Sequence, residues 1–102
     1  NKYNLPVSTV GHIGDGNLHP QIALDFNNKD EVERYKKIKN ELYELTLKLG
    51  GNLSAEHGIG LDKRKFINKA IDNSTLKLMR TIKKTLDKNN ILNPNKIFKL
   101  EE

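Results

Sequence analysis

The sequence predicts an α+β fold: an antiparallel hairpin covered by a long helix, then a third strand and two C-terminal helices. Three features carry that expectation. Two segments with strand character flank an Asp-Gly pair near the start. A stretch of 20 residues then repeats apolar side chains at steps of three and four. Beyond a Gly-Gly pair come two shorter helical patterns, the second halted by Pro94.

The first element is residues 5–13, LPVSTVGHI, rich in β-branched side chains and bounded by Pro6 and Gly14. The second is residues 18–26, LHPQIALDF, with Leu18, Ile22, Leu24 and Phe26 on alternate positions. Asp15-Gly16 between them is a favoured pair for a two-residue type I′ hairpin turn. That turn would set Gly14 opposite Asn17, Ile13 opposite Leu18, and His12 opposite His19. Directly opposed residues point to the same side of a sheet, about 4.5–5.5 Å apart at Cβ. One face would then present the two histidines. The other, with Val7, Ile13, Leu18, Pro20, Ile22, Leu24 and Phe26, would pack against helices.

Residues 30–49 read as one amphipathic helix with Val32, Tyr35, Ile38, Leu42, Leu45 and Leu49 on its apolar stripe. Asp30 and Glu31 suit its N-terminus, Lys48 its C-terminus, and Gly50-Gly51 its end. Residues 52–55 read as a short strand running into a glycine-rich loop, and residues 62–70 as a short helix. A last helix is expected over residues 74–88, with Ser74 as N-cap and Leu78, Met79, Ile82 and Leu86 buried.

Composition narrows the function classes. The absence of cysteine excludes disulfides and thiolate metal sites and favours a reducing compartment. No apolar run reaches the roughly 20 residues that cross a bilayer. The net charge is +5, from 18 Lys and Arg against 13 Asp and Glu, but basic and acidic residues are interleaved along the helices. That pattern reads as a solvated surface rather than a nucleic-acid footprint. No nucleophile elbow or Walker loop occurs. GHIGDGN joins strand to strand, so it is not a dinucleotide fingerprint.

The chemistry-bearing residues are His12, His19, Glu56 and His57. Two imidazoles and one carboxylate form a common ligand set for a divalent cation with open positions. Glu56 suits the third ligand and His57 a neighbouring acid–base group, provided the strand has ended before them. An ordinary cross-strand histidine pair and an ordinary loop fit the same spacing.

Taken in order, GHIGDGNLHP, GGNLSAEHGIG, LMRTIKKTLDKNNILNP and NKIF resemble the C-terminal domain of FAD-linked oxidases and dehydrogenases that act on 2-hydroxy acids. That family includes the FAD-binding subunit of glycolate oxidase, D-lactate dehydrogenases and D-2-hydroxyglutarate dehydrogenase. The resemblance implies part of a ferredoxin-like substrate domain with a helical tail. It implies His12, His19 and Glu56 as ligands of a divalent metal (Zn, Mn or Fe), His57 as catalytic base toward the substrate hydroxyl, and Asn93, with Asn17, near the flavin. The reaction implied is oxidation of a glycolate- or D-lactate-type acid to the 2-keto acid, with hydride passing to FAD.

On this expectation residues 1–102 are a C-terminal fragment whose FAD-binding domain is absent, inactive alone. Its partners would be the small 2-hydroxy acid, the rest of the same polypeptide and an electron-transfer subunit, with a homodimer of the fragment plausible and no nucleic acid. Its place would be the cytoplasm, or a membrane reached through partner subunits. The alternative is a stand-alone basic ferredoxin-like module that binds RNA or an acidic partner. Three positions depart from the family pattern: Asn95 replaces a frequent Gly, Lys88 a frequent Pro, and Gln21 a frequent substrate-contacting Asn. Asn95 can still adopt the left-handed conformation such a turn requires.

Overall fold

The computed structural model describes residues 2–100 and has the α+β composition expected from the sequence. It contains an antiparallel hairpin of β1 (Val7–His12) and β2 (Asn17–Ile22), a long helix α1 (Lys29–Lys48), a short helix α2 (Ile67–Ala70) and a third helix α3 (Asn73–Leu86). The chain divides into two compact units, Asn1–Leu45 and Thr46–Glu102. Among the described residues no helix is long and apolar enough to cross a membrane.

In the first unit the hairpin forms, but its turn differs from the expected one. A 3-10 turn occupies Ile13–Asp15, and Gly16 closes it with φ +66 and an N–H donated to the Ile13 carbonyl at 3.2 Å. A type I′ turn would place both Asp15 and Gly16 at positive φ. The observed turn needs only glycine there, where no Cβ penalty arises. The loop is therefore four residues long, and the register is Val10 opposite His19, Gly11 opposite Leu18 and His12 opposite Asn17. The correction is a slip of two residues, which preserves the sheet face of every side chain.

α1 holds the segment that enters β1. Arg34 donates to the carbonyls of Tyr3 (2.8 Å) and Asn4 (3.0 Å), while Glu41 accepts from Tyr3 Oη (2.5 Å) and Lys2 Nζ (2.8 Å). Leu5, which follows, is buried. The helix starts at an Asn28 N-cap: Asn28 Oδ1 accepts from the backbone of Asp30 and Glu31, and Asn28 Nδ2 donates to the Glu31 carboxylate. It ends in a Schellman motif, with Gly50 N–H on the Leu47 carbonyl, Gly51 N–H on the Thr46 carbonyl, and Gly50 left-handed at φ +79.

Several expected core positions are corrected. Val7, Ile13, Leu18 and Phe26 are exposed; Ile13 lies in the turn, and β2 ends before Phe26 can continue the alternation. On α1, Val32, Tyr35, Ile38 and Leu42 are half-buried, whereas Leu45 and Leu49 are exposed.

In the second unit the strand expected at residues 52–55 is absent. Leu53 is buried, but the flanking glycines leave no run of alternating apolar residues to build a ladder, and the segment is irregular. The helix expected over residues 62–70 is a 3-10 turn at Arg64–Phe66 followed by α2, with Phe66 and Ile67 buried at the junction. α3 starts one residue before Ser74. Its N-cap is Asp72, which accepts from the Thr75 N–H (2.9 Å), the Thr75 hydroxyl (2.7 Å) and the Ser74 hydroxyl. A carboxylate accepts all three donors, which a serine at the cap cannot match. These bonds, the Ser74 hydroxyl first, hold the Asp72 carboxyl well below its ordinary range. The side chain α3 buries completely is Leu76, 1% exposed, and Met79 is half-buried; Leu78, Ile82 and Leu86 face solvent.

Candidate functional site

The first unit contributes His12 and His19. His12 lies opposite Asn17 and His19 opposite Val10, so the two imidazoles are diagonal neighbours rather than a direct pair. They still share one face, and their ring centroids are 6.1 Å apart at an interplanar angle of 81°. One ring nitrogen of His12 lies within 4.8 Å of one of His19. The approach depends on Gly11. A Cβ there would lie 2.2 Å from the Asn17 carbonyl oxygen, so only glycine admits this closeness of the strands.

Asn17 is buried and shares the histidine face, directly across from His12. Gln21 lies on that face too, opposite Ser8, and its Oε1 accepts a hydrogen bond from Ser8 Oγ at 3.3 Å. That bond orients the Gln21 amide.

The second unit contributes Glu56, His57 and Asn93. Adjacent residues on a strand would diverge, but this segment is irregular, and Glu56 Oε1 lies 3.4 Å from His57 Nε2. Gly58 (φ +72) and Gly60 (φ +54) carry the chain through the bend that permits it. Both side chains are accessible to solvent.

Asn93 begins a turn closed by the Lys96 N–H on its carbonyl at 3.2 Å. Asn93, Asn95 and Ile97 all take positive φ, at 47, 59 and 68 degrees. Asn95 thus supplies the left-handed geometry for which glycine is the usual residue. Before the turn, Asp87 is buried and accepts from the N–H groups of Ile91 and Leu92, both at 2.9 Å. Lys83 donates to Asp87 and to the Leu92 carbonyl, the latter at 2.5 Å. The Lys83 ammonium, and after it the Ile91 and Leu92 amides, keep the Asp87 carboxyl below its usual range.

Sequence reasoning overlooked Gly11, Ser8, Arg64 and Asp87. Gly11 carried a signal, since a glycine within a strand often marks close backbone approach. Ser8 and Arg64 act through hydrogen bonds to residues 13 and 31 positions away, which no local pattern announces, whereas Asp87 acts locally, on Lys83, Ile91 and Leu92.

A histidine pair on a polar hairpin face and a Glu-His loop between glycines together define a domain type, and comparison with known sequences identifies it. Residues 1–97 match the model for FAD linked oxidases, C-terminal domain, and the chain belongs to that family. It is similar to glycolate oxidase subunit GlcD of Bacillus subtilis, with 40% identity over 95% of this chain and 21% of that protein. It is also similar to a probable mitochondrial D-lactate dehydrogenase of Danio rerio, 36% identical over 97% of the chain and 20% of that protein. A D-2-hydroxyglutarate dehydrogenase of Stutzerimonas stutzeri is 39% identical over 86% of the chain and 19% of that protein. The chain spans about one fifth of the length of these relatives.

Proposed function

We propose that this chain is the substrate- and metal-binding part of an FAD-dependent enzyme that oxidises a small 2-hydroxy acid, of glycolate or D-lactate type, to the 2-keto acid. The observation that carries the reading is the His12–His19 pair, edge to face at 6.1 Å on one hairpin face, in a member of this family. The relatives' names support the substrate class.

The donor set fits a divalent cation. Two imidazoles and the Glu56 carboxylate suit Zn, Mn or Fe and leave coordination positions open for substrate. His12, His19 and Glu56 would hold such a cation, which supplies Lewis acidity toward the substrate hydroxyl and carboxylate. Residues outside this chain would hold most of an FAD, with Asn93 and Asn17 as this chain's residues toward it, and the flavin would supply the electron acceptor. The chain's own work is to bind and orient. His57, with Glu56 at 3.4 Å to orient its ring, takes the hydroxyl proton. Beyond the hydroxy acid, the partners are the rest of the flavoenzyme and a subunit that carries electrons onward.

Calorimetric titration of the chain with zinc and with manganese tests the metal assignment. Micromolar binding that is lost in His12→Ala, His19→Ala and Glu56→Ala but kept in His57→Ala is the expected result. Binding that survives both His12→Ala and Glu56→Ala overturns it.

A further inference from the structure

Two loops of the second unit that carry assigned residues are bonded to each other at strained backbone. Gly60, at the end of the Glu56-His57 loop, accepts the Ile97 N–H at 2.8 Å. Arg64, half-buried just past that loop, donates to the Asn95 carbonyl at 2.6 Å. Ile97 makes its bond at φ +68, a region that a β-branched residue occupies only under strain. Asn93, Asn95 and Ile97 are three left-handed residues within one five-residue stretch. A free tail would relax out of that geometry. It is retained because the bonds to Gly60 and Arg64 over-determine it, together with the burial of Phe98 immediately after.

We propose that Arg64 and Ile97 are positioning residues: they lock the turn bearing Asn93 to the loop bearing Glu56 and His57, so that the flavin-side and metal-side groups of this unit keep one spacing. The assignment rests on the functional reading above for what the loops do. Its physical content, that one loop fixes the other, stands on the hydrogen bonds. Arg64 is suited to the task because its guanidinium stays charged and presents several donors in a rigid plane. Ile97 contributes through its backbone N–H alone, so its side chain is dispensable to the lock.

The test is residue-resolved amide exchange by NMR on the chain, combined with zinc titration, for Arg64→Ala, Arg64→Lys and Ile97→Gly. Arg64→Ala should accelerate exchange at residues 56–60 and 93–97 together by about tenfold or more, with the amides of α3 around Leu76 unchanged. It should also weaken zinc binding about tenfold, as removal of support for a metal ligand does. Arg64→Lys keeps a cationic donor without the planar fork, so it should restore part of both. Ile97→Gly keeps the donor and removes the strain, so both readouts should stay at parental values and the melting temperature should hold or rise. Acceleration at 93–97 alone, with 56–60 unchanged, overturns the proposal. Uniform acceleration through α3 overturns it as well, because Arg64 would then support only global stability. If the parent chain binds no zinc, the functional reading fails, and the exchange pattern alone still decides whether the lock exists.

Discussion

Substitution of Gly11 by alanine tests whether the hairpin is built as described. The new Cβ would lie 2.2 Å from the Asn17 carbonyl oxygen, 3.0 Å from Leu18 Cα and 3.2 Å from the Asn17 carbonyl carbon. All three are backbone atoms of the facing strand, so no rotamer change can relieve the clash. Ordinary contact would need the strand to retreat by about 1 Å, against a normal interstrand spacing of about 4.8 Å. Overpacking of this kind costs about 1–3 kcal/mol, and for a domain of this size each kcal/mol lowers the melting temperature by about 4–8 °C. The expected drop is therefore about 5–20 °C by circular dichroism. Because Gly11 adjoins His12 and faces Leu18, next to His19, zinc affinity should fall in parallel. Gly14→Ala is the control: it has negative φ and nothing within 4 Å of the added methyl. It should be neutral within about 0.5 kcal/mol. A Gly11→Ala protein that melts with the parent and binds zinc equally well would refute both the register and the role assigned to this glycine.

Two further outcomes follow from the second unit. Leu76→Ala should lose about 2–5 kcal/mol in urea unfolding, since this fully buried leucine anchors α3 and leaves a cavity when truncated; a loss below about 1 kcal/mol would contradict that anchoring. Asp72 has a lower pKa folded than unfolded, so its cap stabilises fully above the unfolded value, near pH 4, and that contribution fades as pH falls toward the folded value. Asp72→Ala should therefore be less stable than the parent at neutral pH, with the gap narrowing in acid; equal stability at pH 7 would remove the cap from the account.

Much of the architecture was legible in local pattern. The long helix was found to within a residue at each end because its stripe, acidic start and double glycine agree with one another. The hairpin and its histidine face were legible because side chains alternate with period two. The turn was misread because Asp-Gly favours a two-residue loop only where Asp can also take positive φ, and here Ile13–Asp15 wind right-handed and leave that task to Gly16. The third strand failed for want of apolar alternation around Leu53. The cap of α3 moved from Ser74 to Asp72 because a carboxylate outcompetes a hydroxyl for several donors. Of the candidate site, His12 and His19 emerged from spacing, and Glu56 and His57 from their glycine-flanked loop. Arg64 and Ser8 stayed hidden, since each acts on a residue 31 or 13 positions away.

The two-residue slip of the hairpin has a consequence for how this segment can vary. The pairing of the histidines obeys a parity rule in the register: a slip of the strands by an even number of residues leaves both rings on one side, and an odd slip sends them to opposite sides. A loop of four residues thus serves the same end as a loop of two, and residues added or lost at the tip leave the strand pairs, and with them the shared face, untouched. What selection must guard is that register, together with the one glycine that lets the strands close.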